Sequence, residues 1–251
     1  MQFIPRTDRM SERVRHPSSP AWQAGQGNDT MDFDRAIEER HSVRQYTDRK
    51  IEGDVLRQLQ DEISRINGES GMSIHLVLNE PKAFGGFMMR SMVKFRNAVN
   101  YIAVSGPESE GLNLNAGYYG EQVVLYAQTL GLGTCWALMA SKKNSAGDLP
   151  DGHRTVILIS TGYPENPGIP HKSKPASEVA DMTDAPDWFV KGVECALLAP
   201  TGMNRQGFRF ERNGNSVRMI HGTNTLGEID AGIVKYHFEY GAGKANFTWT
   251  D

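Results

Sequence analysis

Hydrophobic residues recur at helical spacing in several stretches of the chain. In residues 55–66, Val55, Leu56, Leu59 and Ile63 share one face of a helix, while most of the positions between them are polar or charged. The same period predicts four further helices, over residues 31–40, 119–130, 186–200 and 228–235.

Shorter runs, bounded by glycine, proline and polar residues, predict about six strands. TVILIS at residues 155–160 is almost entirely apolar, which is typical of a strand covered on both faces. FRFERNGNSVRMI at residues 208–220 predicts a hairpin that turns at Asn213 and Gly214. Because not all strands alternate with helices, the pattern favours the α+β class. The other predicted strands lie in residues 73–79, 97–106 and 235–240.

The first thirty residues show neither period. They are rich in Arg, Ser, Pro, Gly and Gln, so we expect residues 1–30 to be a disordered extension. A folded domain is expected to begin at Met31, where Asp32 is available to cap the first helix. The length of 251 residues allows one large domain or two small ones.

The composition argues against several classes of function. A net charge of −3 lacks the basic excess of a protein that binds nucleic acid, and no apolar run approaches the ~20 residues of a membrane span. Without a secretory signal, we expect a cytoplasmic protein. The seven histidines show no ligand spacing, which predicts no metal site, and Cys135 and Cys195 are expected to be free thiols in apolar surroundings.

Two arginines bracket a serine directly after the first predicted helix, in ERHSVRQY at residues 39–46. Arg40 and Arg44 could offer forked charged donors, and Ser42 a hydroxyl, to a phosphate group. A solvated basic patch at a helix C-terminus accounts for the same residues. The eight residues alone leave both interpretations open.

Two further stretches could carry chemistry, and each also has a plain structural interpretation. In ALLAPTGMNRQGFRF, Thr201, Asn204 and Gln206 lie in a turn after Pro200 and could either satisfy local backbone groups or read the polar edge of a planar ligand. In LGLGTCWAL at residues 130–138, two glycines allow close backbone approach, but they also suit an ordinary helix end beside a packed tryptophan.

Taken together, the three stretches resemble the nitroreductase family of flavoproteins. ERHSVRQY is similar to the family's Arg-x-Ser-x-Arg/Lys motif, and AQTLGLGTCWAL to its Ala-x-x-Leu-Gly-Leu-Gly-x-x-Trp segment. APTGMNRQG resembles the Ala-Pro-Ser-x-x-Asn-x-Gln-Pro stretch, with Thr201 in place of serine and Gly207 in place of the last proline. The FMN contacts that this resemblance implies are Arg40, His41, Ser42, Arg44, Trp136, Ala137, Leu138, Pro200, Thr201, Asn204 and Gln206, with Lys244 as a candidate phosphate contact that has no matching motif.

The order of the stretches differs from that of an ordinary family member. There the Pro-Ser-Asn-Gln stretch follows soon after the Arg-Ser-Arg stretch and completes the site of a partner subunit, whereas here it comes much later. This layout resembles a nitroreductase subfamily in which two half-units are fused in one chain. It implies a nitroreductase-like fold with a central, mostly antiparallel sheet flanked by helices. Residues 31–175 would hold the phosphate and the flavin ring, and residues 176–251 would complete one site in an intramolecular pseudo-dimer, either monomeric or a weak homodimer.

The resemblance also implies a reaction. An FMN-dependent oxidoreductase would move hydride from NADH or NADPH to a small electron-poor acceptor, such as a nitroaromatic or a quinone. No catalytic side chain is expected, because the flavin itself carries the chemistry. A protein that binds FMN without turnover, for storage or sensing, is the alternative that the departures at Thr201 and Gly207 leave open.

Overall fold

The computed structural model describes residues 33–84, 86, 91, 93–138 and 149–250. The predicted extension at residues 1–30 and the predicted helix cap at Asp32 lie outside this part of the chain. The elements are α1 (Phe33–Glu39), α2 (Gly53–Ser70), β1 (His75–Val77), β2 (Asn100–Pro107), α3 (Leu112–Thr129), β3 (Gly133–Ala137), β4 (His153–Gly162), α4 (Ala176–Val179), α5 (Asp187–Ala196), β5 (Phe208–Asn213), β6 (Ser216–His221), α6 (Thr225–Ala242) and β7 (Thr248–Trp249).

Four antiparallel strands form the central sheet in the order β1-β2-β4-β3. β4 is buried on both faces, as its apolar sequence predicts: Ile159 joins the larger core cluster on one side, and Leu158 joins a smaller cluster on the other. Ile159 pairs with Ile102 of β2 and with Trp136 of β3. The sheet therefore separates two apolar layers, and it places Trp136 on the side of the larger core.

The chain directly after α1 lies along the free edge of β3. Ser42 forms an isolated parallel bridge with Thr134, and the Val43 N–H donates to the Thr134 carbonyl over 2.9 Å. Gly133 permits this approach, because a Cβ at that position would stand 2.7 Å from the Val43 side chain. The Arg-Ser-Arg stretch and the glycine-tryptophan stretch, which are far apart in sequence, are therefore neighbours in the fold.

A second sheet of three strands has the order β5-β6-β7. β5 and β6 form the predicted hairpin, in which Asn213 pairs with Ser216 and Gly214 has a φ of +58°. β7 joins β6 in parallel. The two sheets and their flanking helices confirm the α+β class and the mostly antiparallel central sheet.

The tail contains one long helix where the sequence predicts a helix followed by a strand. The predicted strand KYHFEY at residues 235–240 is wrong, because α6 runs through it from Thr225 to Ala242. The alternating aromatics suggested a period of two. In α6, however, Val234 and Phe238 lie one helical turn apart and are both fully buried, so tertiary packing decides the structure.

Helices α3 and α6 pack at very short range through glycines. A Cβ on Gly117 would lie 2.0 Å from the Ile229 carbonyl oxygen, and a Cβ on Gly232 would lie 2.0 Å from the Leu114 carbonyl oxygen. These approaches are possible only without side chains at those two positions. They join a helix from the middle of the chain to the last helix, so the part before residue 130 and the part after residue 225 share the core.

Candidate functional site

The Arg-Ser-Arg stretch acts on the Cys135 thiol of β3 through the charges of its two arginines and the hydroxyl of Ser42. Arg40 directly follows α1, since its N–H still donates to the Ala36 carbonyl over 2.9 Å, and Ser42 bridges to Thr134 of β3. Burial raises the pKa of the Cys135 thiol, while the Arg44 charge, a hydrogen bond from Ser42 and the Arg40 charge oppose that rise. All three predicted phosphate contacts therefore lie close to one point on β3.

The two arginines of this group differ in environment. Arg40 is 3% exposed, and its Nε has no hydrogen-bond partner. Burial lowers the pKa of Arg40, and Glu121 of α3, whose Oε1 lies 3.8 Å from the Arg40 Nε, partly offsets this effect. Arg44 is exposed, and its guanidinium makes no hydrogen bond or ion pair to the described residues. Two guanidiniums with unused donors on either side of a hydroxyl fit a phosphate group.

Glu121 is the centre of a buried polar cluster. Its Oε2 accepts a hydrogen bond of 3.1 Å from the Trp136 indole N–H, and its Oε1 lies 2.9 Å from the His237 Nε2 of α6. Glu121 and His237 are both fully buried. Neither Glu121 nor His237 is among the residues that the sequence predicts for the site. A single acidic residue within the apolar helix stretch YYGEQVVLYA was the available signal for Glu121, because a charge in such a place requires partners.

The residues predicted to lie beside the flavin ring, Trp136, Ala137 and Leu138, are found at the end of β3 and are called the flavin platform below. Ala137 is buried, and Trp136 and Leu138 are half-buried. The Trp136 ring lies directly on α3, because a Cβ on Gly120 would stand 2.6 Å from it. The indole is thus held by packing on Gly120 and by its hydrogen bond to Glu121. β3 carries the chain past the Arg-Ser-Arg stretch to Leu138, the last described residue before position 149.

The APTGMNRQG stretch at residues 199–207, called the later stretch below, contributes Thr201, Asn204 and Gln206 to the predicted FMN contacts. In the structure these side chains connect two loops by hydrogen bonds. The Gln206 Oε1 accepts from the Lys174 backbone N–H over 2.8 Å, and the Gln206 Nε2 donates to the Lys172 carbonyl over 2.9 Å. The Asn204 amide donates to the same carbonyl, and the Thr201 hydroxyl accepts from the Gln206 backbone N–H. Thr201, Asn204 and Gln206 therefore satisfy local backbone groups, which is the structural interpretation that the sequence left open. Pro200 is half-buried and directly precedes this network.

The loop after β4 connects the two stretches. A Cβ on Gly168 would stand 2.8 Å from the His41 Cβ and 3.2 Å from the Ser42 carbonyl oxygen, so this loop lies against the Arg-Ser-Arg stretch. Farther along, the His171 Nε2 lies 2.9 Å from the Leu197 carbonyl oxygen at the end of α5. Burial, the Arg40 charge and, more weakly, His171 lower the pKa of His41. One loop thus joins the early stretch to the later one.

The backbone of the later stretch adopts a strained conformation. Met203, Asn204 and Gln206 have φ values of 54°, 53° and 46°, a region that side-chain-bearing residues rarely occupy. Asp230 of α6 anchors the start of this loop, since both of its carboxylate oxygens accept from the Gly202 N–H, at 2.9 and 3.0 Å. Burial raises the pKa of Asp230 to about 6, against the opposing effect of that N–H.

Lys244 lies in a different environment from the other predicted contacts. Its Nζ donates to the Tyr118 hydroxyl over 2.6 Å and lies 2.8 Å from the Glu239 Oε2. No hydrogen bond or ion pair between described residues joins Lys244 to the Arg-Ser-Arg stretch.

Two further properties of the described chain limit what it can bind. No cluster of three or more metal-ligating side chains of His, Cys, Asp or Glu occurs among residues 33–84, 86, 91, 93–138 and 149–250. Within those same ranges, no helix has both the length and the apolar character needed to cross a bilayer.

Comparison with known proteins yields one family and several solved structures. The family described as "Putative TM nitroreductase" matches residues 32–242. A "putative nitroreductase" from Thermotoga maritima superposes with a TM-score of 0.63 at 23% identity over 90% of each chain. A "putative nitroreductase in complex with FMN" from Desulfovibrio desulfuricans is 19% identical over 61% of this chain and 95% of its own, with a TM-score of 0.46. A search of curated proteins finds no match.

The Thermotoga maritima structure and this chain correspond over nearly their whole lengths, so the fold of that protein is the fold seen here. The family match covers most of the chain, including both the Arg-Ser-Arg stretch and the later Thr-Asn-Gln stretch. The chain therefore belongs to the TM nitroreductase family.

Proposed function

We propose that the protein is an FMN-dependent oxidoreductase that takes hydride from NADH or NADPH and reduces a small electron-poor acceptor. The observation that carries the proposal is that the Arg-Ser-Arg stretch is bonded to β3 at Thr134, where the Arg40 Nε is buried without a hydrogen bond and Arg44 is exposed. Membership of a nitroreductase family supports an oxidoreductase as the general activity. Nitroaromatics and quinones are the acceptor classes that we propose.

In this proposal the phosphate group of FMN is bound by Arg40, Ser42 and Arg44. The Arg40 guanidinium supplies a preformed buried charge, and the exposed Arg44 supplies a second one from the solvent side. Charge-assisted hydrogen bonds of this kind are stronger than neutral ones and fix the orientation of the ligand. His41 lies under the Gly168 loop and would help to enclose the same end of the cofactor.

The flavin ring would lie along the end of β3, beside the backbone of Trp136, Ala137 and Leu138. Bound FMN would accept a hydride from the nicotinamide and pass it to the acceptor, and the protein would supply binding and orientation. Glu121 and Gly120 hold the Trp136 indole, so the platform is rigid before the cofactor arrives. Backbone N–H groups there would stabilise negative charge on the ring.

The later stretch would close the site through its loops. Gln206 and Asn204 both donate to the Lys172 carbonyl, and Gln206 also accepts from the Lys174 N–H. We therefore assign them to the interface between residues 31–175 and residues 176–251, called the joint below. Of the two roles that the resemblance implies for them, a contact with the flavin edge or a connection between the two parts of the chain, these hydrogen bonds support the second. Pro200 and Thr201 belong to the same joint.

The same arrangement supports the proposal that one chain imitates a dimer. Residues 31–175 would supply the phosphate contacts and the platform, and residues 176–251 would supply the closing loop. The close packing of α3 against α6 through Gly117 and Gly232 joins these two parts tightly. A monomer, or at most a weak homodimer, with a small-molecule acceptor as its partner follows from this view.

The proposal is tested by purification followed by a visible absorption spectrum and by steady-state assays. We expect a yellow protein, or a colourless one that binds added FMN, that oxidises NADH or NADPH in the presence of menadione or a nitrofuran. FMN binding without oxidation of either nucleotide would favour a storage or sensing protein. Failure to bind FMN at all would reject the proposal.

A further inference from the structure

The Glu121 carboxylate stands between three donors from three separate elements. The His237 Nε2 of α6 lies 2.9 Å from its Oε1, and the Trp136 Nε1 of β3 lies 3.1 Å from its Oε2. The Arg40 Nε, beyond the end of α1, is 3.8 Å from the same Oε1. His237 and Arg40 therefore share one oxygen, but at unequal distances.

The difference between these distances decides which donor is used. The His237 contact is a normal hydrogen bond, whereas 3.8 Å is too long for one. The Arg40 Nε is consequently buried without a partner, although Glu121 still offsets part of its charge. Arg40 is thus a buried cation that faces Glu121 in an ion pair of 3.8 Å, while its Nε makes no hydrogen bond.

His237 is itself fixed in place from its other side. Its Nδ1 lies 3.2 Å from the Cys195 carbonyl oxygen of α5, so both ring nitrogens have contacts. The ring is fully buried, and α6 cannot shift easily because Gly232 seats it against α3. A residue near the end of the chain therefore determines where the Glu121 carboxylate points.

We propose that His237 is a positioning residue that holds Glu121 away from Arg40, so that Arg40 remains free to bind the phosphate group of FMN. The inference rests on the proposed function, which assigns that phosphate to Arg40. It assigns a role to His237 and Glu121, which would not contact the cofactor themselves. Through His237, residues 176–251 would influence the phosphate contacts made by residues 31–175.

The consequence of losing His237 follows from the geometry. Without the His237 ring nitrogen, the Glu121 Oε1 faces the Arg40 Nε at 3.8 Å, an atom that makes no other hydrogen bond. A direct charged hydrogen bond would then form and compete with the phosphate for Arg40. Flavins that have no phosphate would be unaffected by this competition.

The experiment compares FMN with riboflavin, which has the same ring but no phosphate. Dissociation constants for both ligands are measured by fluorescence titration for the wild type, His237→Leu, His237→Gln, Glu121→Gln and the double variant H237L/E121Q. Riboflavin serves as the control for general damage to the fold. The ratio of the two dissociation constants reports the phosphate contacts alone.

We expect H237L to weaken FMN binding by about tenfold while riboflavin binding changes little. H237Q, whose amide can still donate to Glu121, should keep a ratio close to that of the wild type. E121Q should keep a preference close to that of the wild type, because His237 already holds Glu121 away from Arg40, and H237L/E121Q should recover the preference that H237L loses. These four results together would support the positioning role.

Other results would overturn it. Equal losses for FMN and riboflavin in H237L would show that His237 supports the fold in general. If H237L does not fold, E121Q decides, since a lower preference for FMN in that variant would show that Glu121 supports the phosphate contact of Arg40 and does not compete for it. A wild type that binds neither flavin would reject the proposed function itself, whereas a wild type that binds both with ratios untouched by these variants would reject this inference alone.

Discussion

Replacing Arg44 by alanine should weaken FMN binding without weakening the fold. The Arg44 side chain is exposed and makes no hydrogen bond or ion pair to the described residues, so its loss should change the free energy of unfolding by no more than about 0.5 kcal/mol. A hydrogen bond from a charged group to the phosphate contributes roughly 1.5 to 3 kcal/mol. The dissociation constant for FMN should therefore rise by between about tenfold and hundredfold.

The assay is a fluorescence titration of Arg44→Ala with FMN and, separately, with riboflavin. Only FMN should lose affinity, because riboflavin has no phosphate for Arg44 to contact. Arg57→Ala, which removes an exposed arginine from α2, is the matched control and should leave both affinities unchanged. Equal affinity of Arg44→Ala and the wild type for FMN would refute the assignment of the phosphate to this stretch.

Arg40→Ala is a less specific test of the same assignment. Arg40 is buried 3.8 Å from Glu121, so its truncation removes a positive charge that faces this carboxylate, although the contacts with His237 and Trp136 remain. Loss of one member of a buried ion pair costs roughly 3 to 5 kcal/mol. A fall in FMN affinity in that variant would therefore mix cofactor binding with stability.

Three further changes test the packing and the loops. Gly232→Ala should destabilise the protein by about 3 kcal/mol or more in urea unfolding, because its Cβ would meet the Leu114 carbonyl oxygen at 2.0 Å; unchanged stability would contradict the close helix packing. Gln206→Ala should cost roughly 1 to 3 kcal/mol and expose the loop around Lys174 to limited proteolysis, since the Lys174 N–H loses its acceptor and the Lys172 carbonyl keeps only Asn204; an equally resistant loop would oppose this role. Burial raises the pKa of Asp230 from its ordinary value of 3.8 to about 6 in the folded protein. The protonated carboxyl therefore stabilises the fold fully below pH 3.8. This stabilisation is lost as the pH rises through about 6. Asp230→Asn should make the free energy of unfolding less dependent on pH between about 4 and 6. The same pH dependence in the variant and the wild type would exclude Asp230 as the cause.

Local patterns in the sequence were sufficient for most of the fold. The apolar face of α2, the continuous apolar run of β4 and the Asn-Gly turn of the β5–β6 hairpin each depend on short-range chemistry, and each is confirmed. KYHFEY shows where such patterns fail. Its alternation suits a strand, but the glycines of α6 and α3 make a long helix pair possible, and that pairing is a property of two distant segments.

The residues of the candidate site also fall into two groups, those that a continuous sequence motif predicts and those that only the fold identifies. The Arg-Ser-Arg stretch and the glycine-tryptophan stretch could be found from their residues, because each motif is continuous in sequence. The roles of Glu121 and His237 could not, since they depend on contacts between residues 116 positions apart. Asn204 and Gln206 were found, but the loop that they bind, around Lys172, could be identified only from the fold.

The central claim is that distant parts of one chain form a single FMN site, and the number of FMN molecules bound per chain tests it most directly. The measurement is a stoichiometric titration of the purified protein with FMN, with the mass of the protein in solution determined in parallel. The account predicts one FMN per chain in a monomer. No binding, two FMN molecules per chain, or binding only by an obligate dimer would contradict it.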